Sequence, residues 1–352
     1  MSQLIEQIIQ HKSVSFVGME KNTGKTESLN YVLHELYQTD KKIAITSIGI
    51  DGESVDQVTE TPKPEIELAK GTIFITSEKH YKEKRPTSDI LDISNFSTSL
   101  GRLVTAKALQ RGKAIISGPS STGRLKQVLA EMPRYGVDIT LVDGALSRKS
   151  FGAPTITESL ILSTGAALSP HLPELIRKTQ FTCRLIHLPA FTATNTDCLA
   201  DVNSGLWAQD NEGKWHDLEI PSTLLLDKYK DRLFKYGNTF YIGGIVTDKI
   251  FDYLRMQPNI SKTVVIVKDF TKIFAVPESV NAFLKKGGQL FVLYAAKLLA
   301  VCVNPTSPTG YNINSALLRE KMSEALQLPV YDVKQIQGSG VSCRDASECL
   351  FT

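Results

Sequence analysis

The chain has 352 residues, 42% hydrophobic and 22% charged, with 40 basic against 37 acidic side chains and a net charge of +3. That length exceeds what a single hydrophobic core usually supports, so two domains are expected, and the composition is that of a folded globular protein rather than a disordered one. The near balance of charge gives no reason to expect a nucleic-acid partner.

In chain order, the opening MSQLIEQIIQHK sets Leu4, Ile5, Ile8 and Ile9 at helical spacing and contains Glu6. It lacks the basic start and apolar block of an export signal. A strand is predicted over 13–17, then a helix over 26–37 with Leu29, Val32, Leu33 and Leu36 on one face. Further strands are predicted at 43–48, 72–76, 114–117 and 139–142, with a helix over 101–110, and two more strands at 160–163 and 185–188. Alternation of short β-rich runs with helical patterns implies an α/β fold with a mostly parallel sheet flanked by helices. The polar stretch 195–217, rich in Asn, Asp and Gly, suggests a boundary, giving domains 1–200 and 201–352. The second domain also reads as α/β, with strands at 223–226, 239–246, 263–268, 289–294 and 298–303 and helices at 248–257 and 279–286.

The most apolar stretch, 290–303, is interrupted by Lys297 and falls short of the roughly 20 residues a bilayer requires. It reads as buried strand, and no membrane association is expected. Cys183, Cys198, Cys302, Cys343 and Cys349 form no paired CxxC spacing. That argues against a disulfide framework or a zinc site and favours a reducing, cytoplasmic location.

Between the strand at 13–17 and the helix at 26–37 stands Gly18-Met19-Glu20-Lys21-Asn22-Thr23-Gly24-Lys25-Thr26, which resembles a Walker A loop. Triphosphate binding needs a turn with inward backbone N–H groups, a helix N-terminus, a lysine for the β- and γ-phosphates and a hydroxyl for Mg²⁺. Asn22, Thr23, Gly24 and Lys25 are the expected phosphate-binding residues and Thr26 the Mg²⁺ hydroxyl, so ATP and Mg²⁺ are the expected cofactors. The consensus sets its first glycine five residues before Gly24, where this chain has Met19 and places Gly18 one step earlier. The alternative reading is a helix cap in an ordinary GKT turn. Lys21 lies one residue too close to Gly24 to match the signature lysine of MinD-like ATPases.

Ligands of open α/β sheets collect outside the carboxyl ends of the strands, which draws attention to Asp51 and Asp143. Asp51, in a setting similar to the dethiobiotin synthetase and cobyrinate amidase group, suits a role on Mg²⁺ or its water, or else shapes an Asp-Gly turn. Asp143 ends an apolar run and is the Walker B candidate, with an Asp-Gly turn again the alternative. Gly118-Pro119-Ser120-Ser121-Thr122-Gly123 suits a second anion or a plain Ser-capped turn. Ser47, Glu53, Glu158 and Asp197 are weaker candidates. The six histidines form no metal-binding spacing, His187 reads as a core residue, and the GxSxG of a serine hydrolase is absent. Trp207 and Trp215 flank a turn at 210–213 and read as the packing surface of a hairpin, or as a partner face.

Taken together, FVGMEKNTGKTESLNYVL, AITSIGIDGESVD, GTIFITSEK, LVDGALSRKSFGAP and the C-terminal VCVNPTSPTGYNINSALLREKMSEAL with PVYDV resemble the KamB subunit of lysine 5,6-aminomutase reactivase. The resemblance covers most of the chain and rests on the order of the blocks and on the less usual DGALSRKS and NPTSPTGYN segments. It implies a P-loop NTPase-like domain joined to a second α/β domain that is regulatory or meets partners. It also implies work beside a MutS-like ATPase subunit on a B₁₂-dependent lysine or ornithine aminomutase of lysine fermentation, with ATP used to release damaged cobalamin. Under that reading Asp51 holds Mg²⁺ or its water and Asp143 stands in the metal's outer shell. Two other classes stay open: an ATP-dependent ligase or amidase of the dethiobiotin synthetase kind, and a scaffold that senses nucleotide without hydrolysing it. The hydrolytic residue and self-association into a homo-oligomer are not fixed by the sequence, nor is the role of the 304–312 loop.

Overall fold

The computed structural model describes residues 2–48, 65–83, 87–119, 121–144, 156–193 and 195–335. The described residues fall into two compact units, one within 1–152, 156–180 and 298–352 and the other within 181–297. The chain enters through α1 (Gln3–Ile8), β1 (Ser13–Gly18), α2 (Lys25–Leu36), β2 (Ile43–Ser47), β3 (Ile66–Leu68), β4 (Ile73–Ser77) and α3 (Glu78–Glu83). It continues through β5 (Ser88–Thr98), β6 (Gly101–Ala108), β7 (Gly112–Ala114), α4 (Thr122–Glu131), β8 (Ile139–Asp143), β9 (Ser159–Gly165) and α5 (Leu172–Ile186). The second unit carries β10 (Leu206–Gln209), β11 (Trp215–Ile220), α6 (Lys230–Leu233), β12 (Thr239–Ile242), α7 (Asp248–Leu254), β13 (Val264–Val267), α8 (Pro277–Lys285) and β14 (Gln289–Val292). The chain then returns to the first unit with β15 (Leu298–Asn304), α9 (Ser315–Leu326) and β16 (Val330–Tyr331).

The first unit is built on a nine-stranded sheet in the order β16-β15-β9-β1-β8-β2-β4-β6-β5. From β16 to β4 every neighbouring pair is parallel, and β6 and β5 close the sheet as an antiparallel hairpin. A parallel strand covered on both faces needs a continuous apolar run, and all six residues of β1 are buried. The predicted stripe Leu29, Val32, Leu33 and Leu36 of α2 joins Leu4, Ile5 and Ile8 of α1 on Phe16, Ile45 and Leu141 of the sheet. Each such side chain, almost wholly removed from water, contributes about 1.5–3 kcal/mol.

Four predicted elements and the predicted boundary are corrected. Residues 101–108 are strand rather than helix: Leu103, Val104, Thr105 and Ala106 are all buried, and β6 pairs with β4 through Phe74↔Ala106 and Thr76↔Val104. Ala and Leu carry a helical preference there, but pairing on both sides of the strand outweighs it. Residues 185–188 close a helix instead of forming a strand, because Leu175, Thr179, Cys183 and Ile186 are buried at helical spacing. Near 114 the strand is short, pairs only with β3 in a separate two-stranded ribbon, and leaves 115–119 without regular structure. Residues 223–226 lie in a 3-10 turn capped by Ser222 Oγ, which accepts from Leu224 N at 3.2 Å. A single division at residue 200 is not followed either: β15 pairs with β9 in the first sheet, so 298–352 returns to the first unit.

The second unit holds the sheet β11-β10-β12-β13-β14, antiparallel across β11-β10-β12 and parallel across β12-β13-β14. The tryptophans flank a hairpin turn: Trp215 is buried with Leu199, Tyr241 and Ile266, and Trp207 packs on that cluster. Asp210 fastens the turn, its carboxylate accepting from Glu212 N and Lys214 N and pairing with His216 Nε2 at 2.6 Å. The His216 contact, with those backbone N–H groups, holds the Asp210 carboxyl below its ordinary range. No helix among the described residues is long and apolar enough to cross a membrane.

Asp227 in the same unit pairs with Lys249 and Lys230, and their hydrogen bonds, Lys249 first, lower its carboxyl from 3.8 to about 2. A depressed carboxyl stabilises the fold fully above its unfolded value, and that contribution disappears as pH falls through the folded one. Asp227→Asn is therefore expected to be less stable than the parent at pH 7, with the difference closing as pH drops from 3.8 toward about 2. Urea denaturation at both ends of that window checks it, and a pH-independent difference would contradict it.

Candidate functional site

Because β15, β9, β1, β8, β2 and β4 run parallel, their final residues Asn304, Gly165, Gly18, Asp143, Ser47 and Ser77 share one edge of the sheet. The register places Gly18 beside Ser163, Phe16 and Ser47 beside Asp143, and Asn304 beside Gly165. Residues 19–24 leave this edge as a tight loop. Gly18 is needed for close approach, since a Cβ there would lie 2.8 Å from Thr23 Oγ1 and 3.3 Å from the Glu20 carbonyl. Thr23, 1% exposed, closes the loop by donating from Oγ1 to the Glu20 carbonyl at 2.8 Å. Met19 N donates to the Ser163 carbonyl at 2.9 Å and anchors the loop on β9.

Asn22 and Gly24 adopt left-handed conformations, with φ of 61° and 84°, and Thr23 between them does not. Such alternation turns successive backbone N–H groups toward one concave side, where an anion is favoured. Gly24 then caps α2, and Ser28 secures the first turn by donating from N and Oγ to the Gly24 carbonyl at 2.9 and 3.0 Å. The free N–H groups and the dipole of a twelve-residue helix reinforce the preference for negative charge.

Lys25, the first residue of α2, forms an ion pair with Asp143, the last of β8, their side chains 23% and 20% exposed. The main chain of Asp143 is fixed independently, its carbonyl accepting from Ile48 N at 3.0 Å and Ser47 Oγ at 3.2 Å. An ammonium and a carboxylate so placed can separate between an anion in the loop and a cation beside it. Thr26 follows on the helix, half-buried. Among the described residues no group of three or more His, Cys, Asp or Glu could hold a metal ion. Mg²⁺ does not require one: it takes one or two protein oxygens and completes its shell with phosphate and water, and Thr26 on α2 and Asp143 at the end of β8 carry oxygens of that kind.

The structure thus gathers Asn22, Thr23, Gly24, Lys25, Thr26 and Asp143, with Ser47 at their border. Asp51 and Glu53 lie outside the described residues, as does most of the DGALSRKS segment. Glu158 belongs to the opposite edge, where its carboxylate accepts from Lys12 N at 2.8 Å, and Asp197 belongs to the second unit. His187 is exposed rather than a core residue: it follows the last residue of α5, with Nδ1 2.7 Å from the Cys183 carbonyl of the helix end. In the 118–123 segment Ser121 caps α4, accepting from Arg124 N at 3.4 Å, while Gly118 is packed on the end of β2.

One residue at this edge escapes a reading of local motifs. Asn304 ends β15 and donates from Nδ2 to the Asn22 carbonyl at 3.0 Å. Its signal in the sequence is its place at the head of NPTSPTGYN, a segment that carries no local chemistry of its own. Comparison with family models, with curated proteins and with solved structures finds no match.

Proposed function

We propose that the 18–26 loop is a phosphate loop in a P-loop NTPase-like unit that binds ATP with Mg²⁺. In this reading the chain is the ATP-binding subunit of a factor that reactivates an adenosylcobalamin-dependent lysine or ornithine aminomutase. The observation that carries nucleotide binding is the pair of left-handed residues, Asn22 and Gly24, at the N-terminus of α2, with Lys25 set against Asp143. Backbone N–H groups of Asn22, Thr23 and Gly24 and the Lys25 ammonium would hold phosphate oxygens. Thr26 would meet Mg²⁺, with Asp143 and Asp51 near the ion or its waters. The partners, a MutS-like ATPase subunit and the mutase, rest on the resemblance of the motif blocks.

A nucleotide drives such work only by binding two conformations of the assembly with different affinity. Turnover by the purified chain is therefore expected to be slow alone and to rise at least about tenfold, ~1.4 kcal/mol of barrier, when mutase and MutS-like subunit are both added. Phosphate release is the readout. Turnover raised by a small carboxylate without either protein would instead favour a ligase of the dethiobiotin synthetase kind, and binding without turnover under all conditions a sensing scaffold.

A further inference from the structure

The strand β15 lies two places from β1 in the sheet, yet its last residue touches the loop that follows β1. Gly165 permits the approach: a Cβ at that position would sit 2.1 Å from the Asn304 carbonyl oxygen, which accepts from Ala166 N at 2.9 Å. The Asn304 side chain crosses this gap, and its Cβ lies 3.0 Å from where a Cβ on Gly24 would be. Its amide is used at both ends. Oδ1 accepts from Thr306 N at 3.2 Å, and Nδ2 donates to the Asn22 carbonyl at 3.0 Å.

That second bond has a directional consequence. A trans peptide is planar, so the carbonyl of Asn22 and the N–H of Thr23 point to opposite sides of the same unit. Holding the carbonyl toward Asn304 turns the Thr23 N–H away from it. The bond also supports the left-handed conformation of Asn22, which is unfavourable for a residue with a side chain and is best tolerated by asparagine.

We propose that Asn304 is a positioning residue for the phosphate loop: its amide fixes the Asn22–Thr23 peptide so that the Thr23 N–H faces a phosphate oxygen. The proposal rests on the nucleotide reading above. It predicts that affinity depends on the donor at position 304 through the polyphosphate part of the ligand and not through its nucleoside. Asn304→Asp is nearly isosteric and keeps the acceptor for Thr306 N. It replaces the donor by an anionic oxygen against a carbonyl and near the phosphates.

The test compares the parent chain, Asn304→Asp, Asn304→Ala and Lys25→Ala by calorimetric titration with Mg²⁺-ATP and with Mg²⁺-tripolyphosphate, alongside the Tm of each protein without ligand. The parent should bind both probes. Asn304→Asp should weaken both by a common factor of about ten or more, with an unliganded Tm close to the parent's. Asn304→Ala, which removes the donor without adding charge, should lose a smaller common factor and carries the same test if the aspartate variant does not fold. Parent-like affinity in the folded variants overturns the proposal and leaves the nucleotide reading standing, as does a loss confined to ATP, which would place Asn304 against the nucleoside. A parent chain that binds neither probe overturns the nucleotide reading itself.

Discussion

Lys25→Ala is expected to weaken Mg²⁺-ATP binding by at least about a hundredfold, ~2.7 kcal/mol, while the fold survives. The asymmetry follows from where the side chain stands. In the unliganded chain its ammonium meets one carboxylate, both side chains being only partly exposed, so truncation leaves Asp143 without this partner at a cost of about 1–3 kcal/mol, which a chain of this size tolerates. In the nucleotide complex the same ammonium, on the first residue of α2, faces several phosphate charges beside a helix N-terminus, the other lysine of the 18–26 loop, Lys21, standing four residues earlier. Truncation to the β-carbon leaves the helix-forming preference of the position intact. Titration of the variant, with its Tm measured in parallel, separates the two effects, and unchanged ATP affinity would remove the central functional claim.

The largest expected effect on stability comes from Gly118→Ala. A methyl at that position would fall 1.6 Å from the carbonyl oxygen of Ser47 and 2.7 Å from its carbonyl carbon, both backbone atoms at the end of β2. Neither can rotate aside, so the 115–119 segment must lift from the sheet or β2 must shift. The expected cost is about 3 kcal/mol or more, a fall in Tm on the order of 6–12 °C for a unit of this size. The backbone of Gly118 is not left-handed, so the effect is one of space alone. Gly123 provides the matched control, because it lies within α4 and a Cβ there would meet nothing within 4 Å. Gly123→Ala should be neutral or stabilising by up to about 1 kcal/mol. Thermal melts of the two variants, read side by side, decide the matter; equal Tm values would contradict the close packing of 118 on Ser47.

Those two glycines share one short segment, GPSSTG, and nothing in their local sequence separates them. The same limit explains which parts of the fold were legible. The strand at Ser13–Gly18 and the helix at Lys25–Leu36 announce themselves, since an unbroken apolar run and a 3.6-residue stripe are local properties. Asp143 was legible for a similar reason, as the polar end of an apolar strand. Residues 101–108 were not: their Ala and Leu content suits a helix, and strand geometry follows from pairing with β4 and β5 on either side. The 223–226 run reads as strand because three consecutive leucines resemble a buried strand, whereas in the structure Leu224 is 63% exposed.

The sequence by itself determined the α/β class, the parallel core of the first unit and the strand–loop–helix that places residues 18–26 between β1 and α2, because each is written in a short window by hydrophobic periodicity. Tertiary structure alone decided that Lys25 meets Asp143 across two neighbouring strands and that the chain returns to the first sheet after the second unit. It also decided that Asn304 reaches the Asn22 carbonyl from 282 residues away. Contacts at that separation depend on strand order and on the absence of side chains at Gly165 and Gly24, and spatial adjacency between distant segments leaves no periodic trace in either of them.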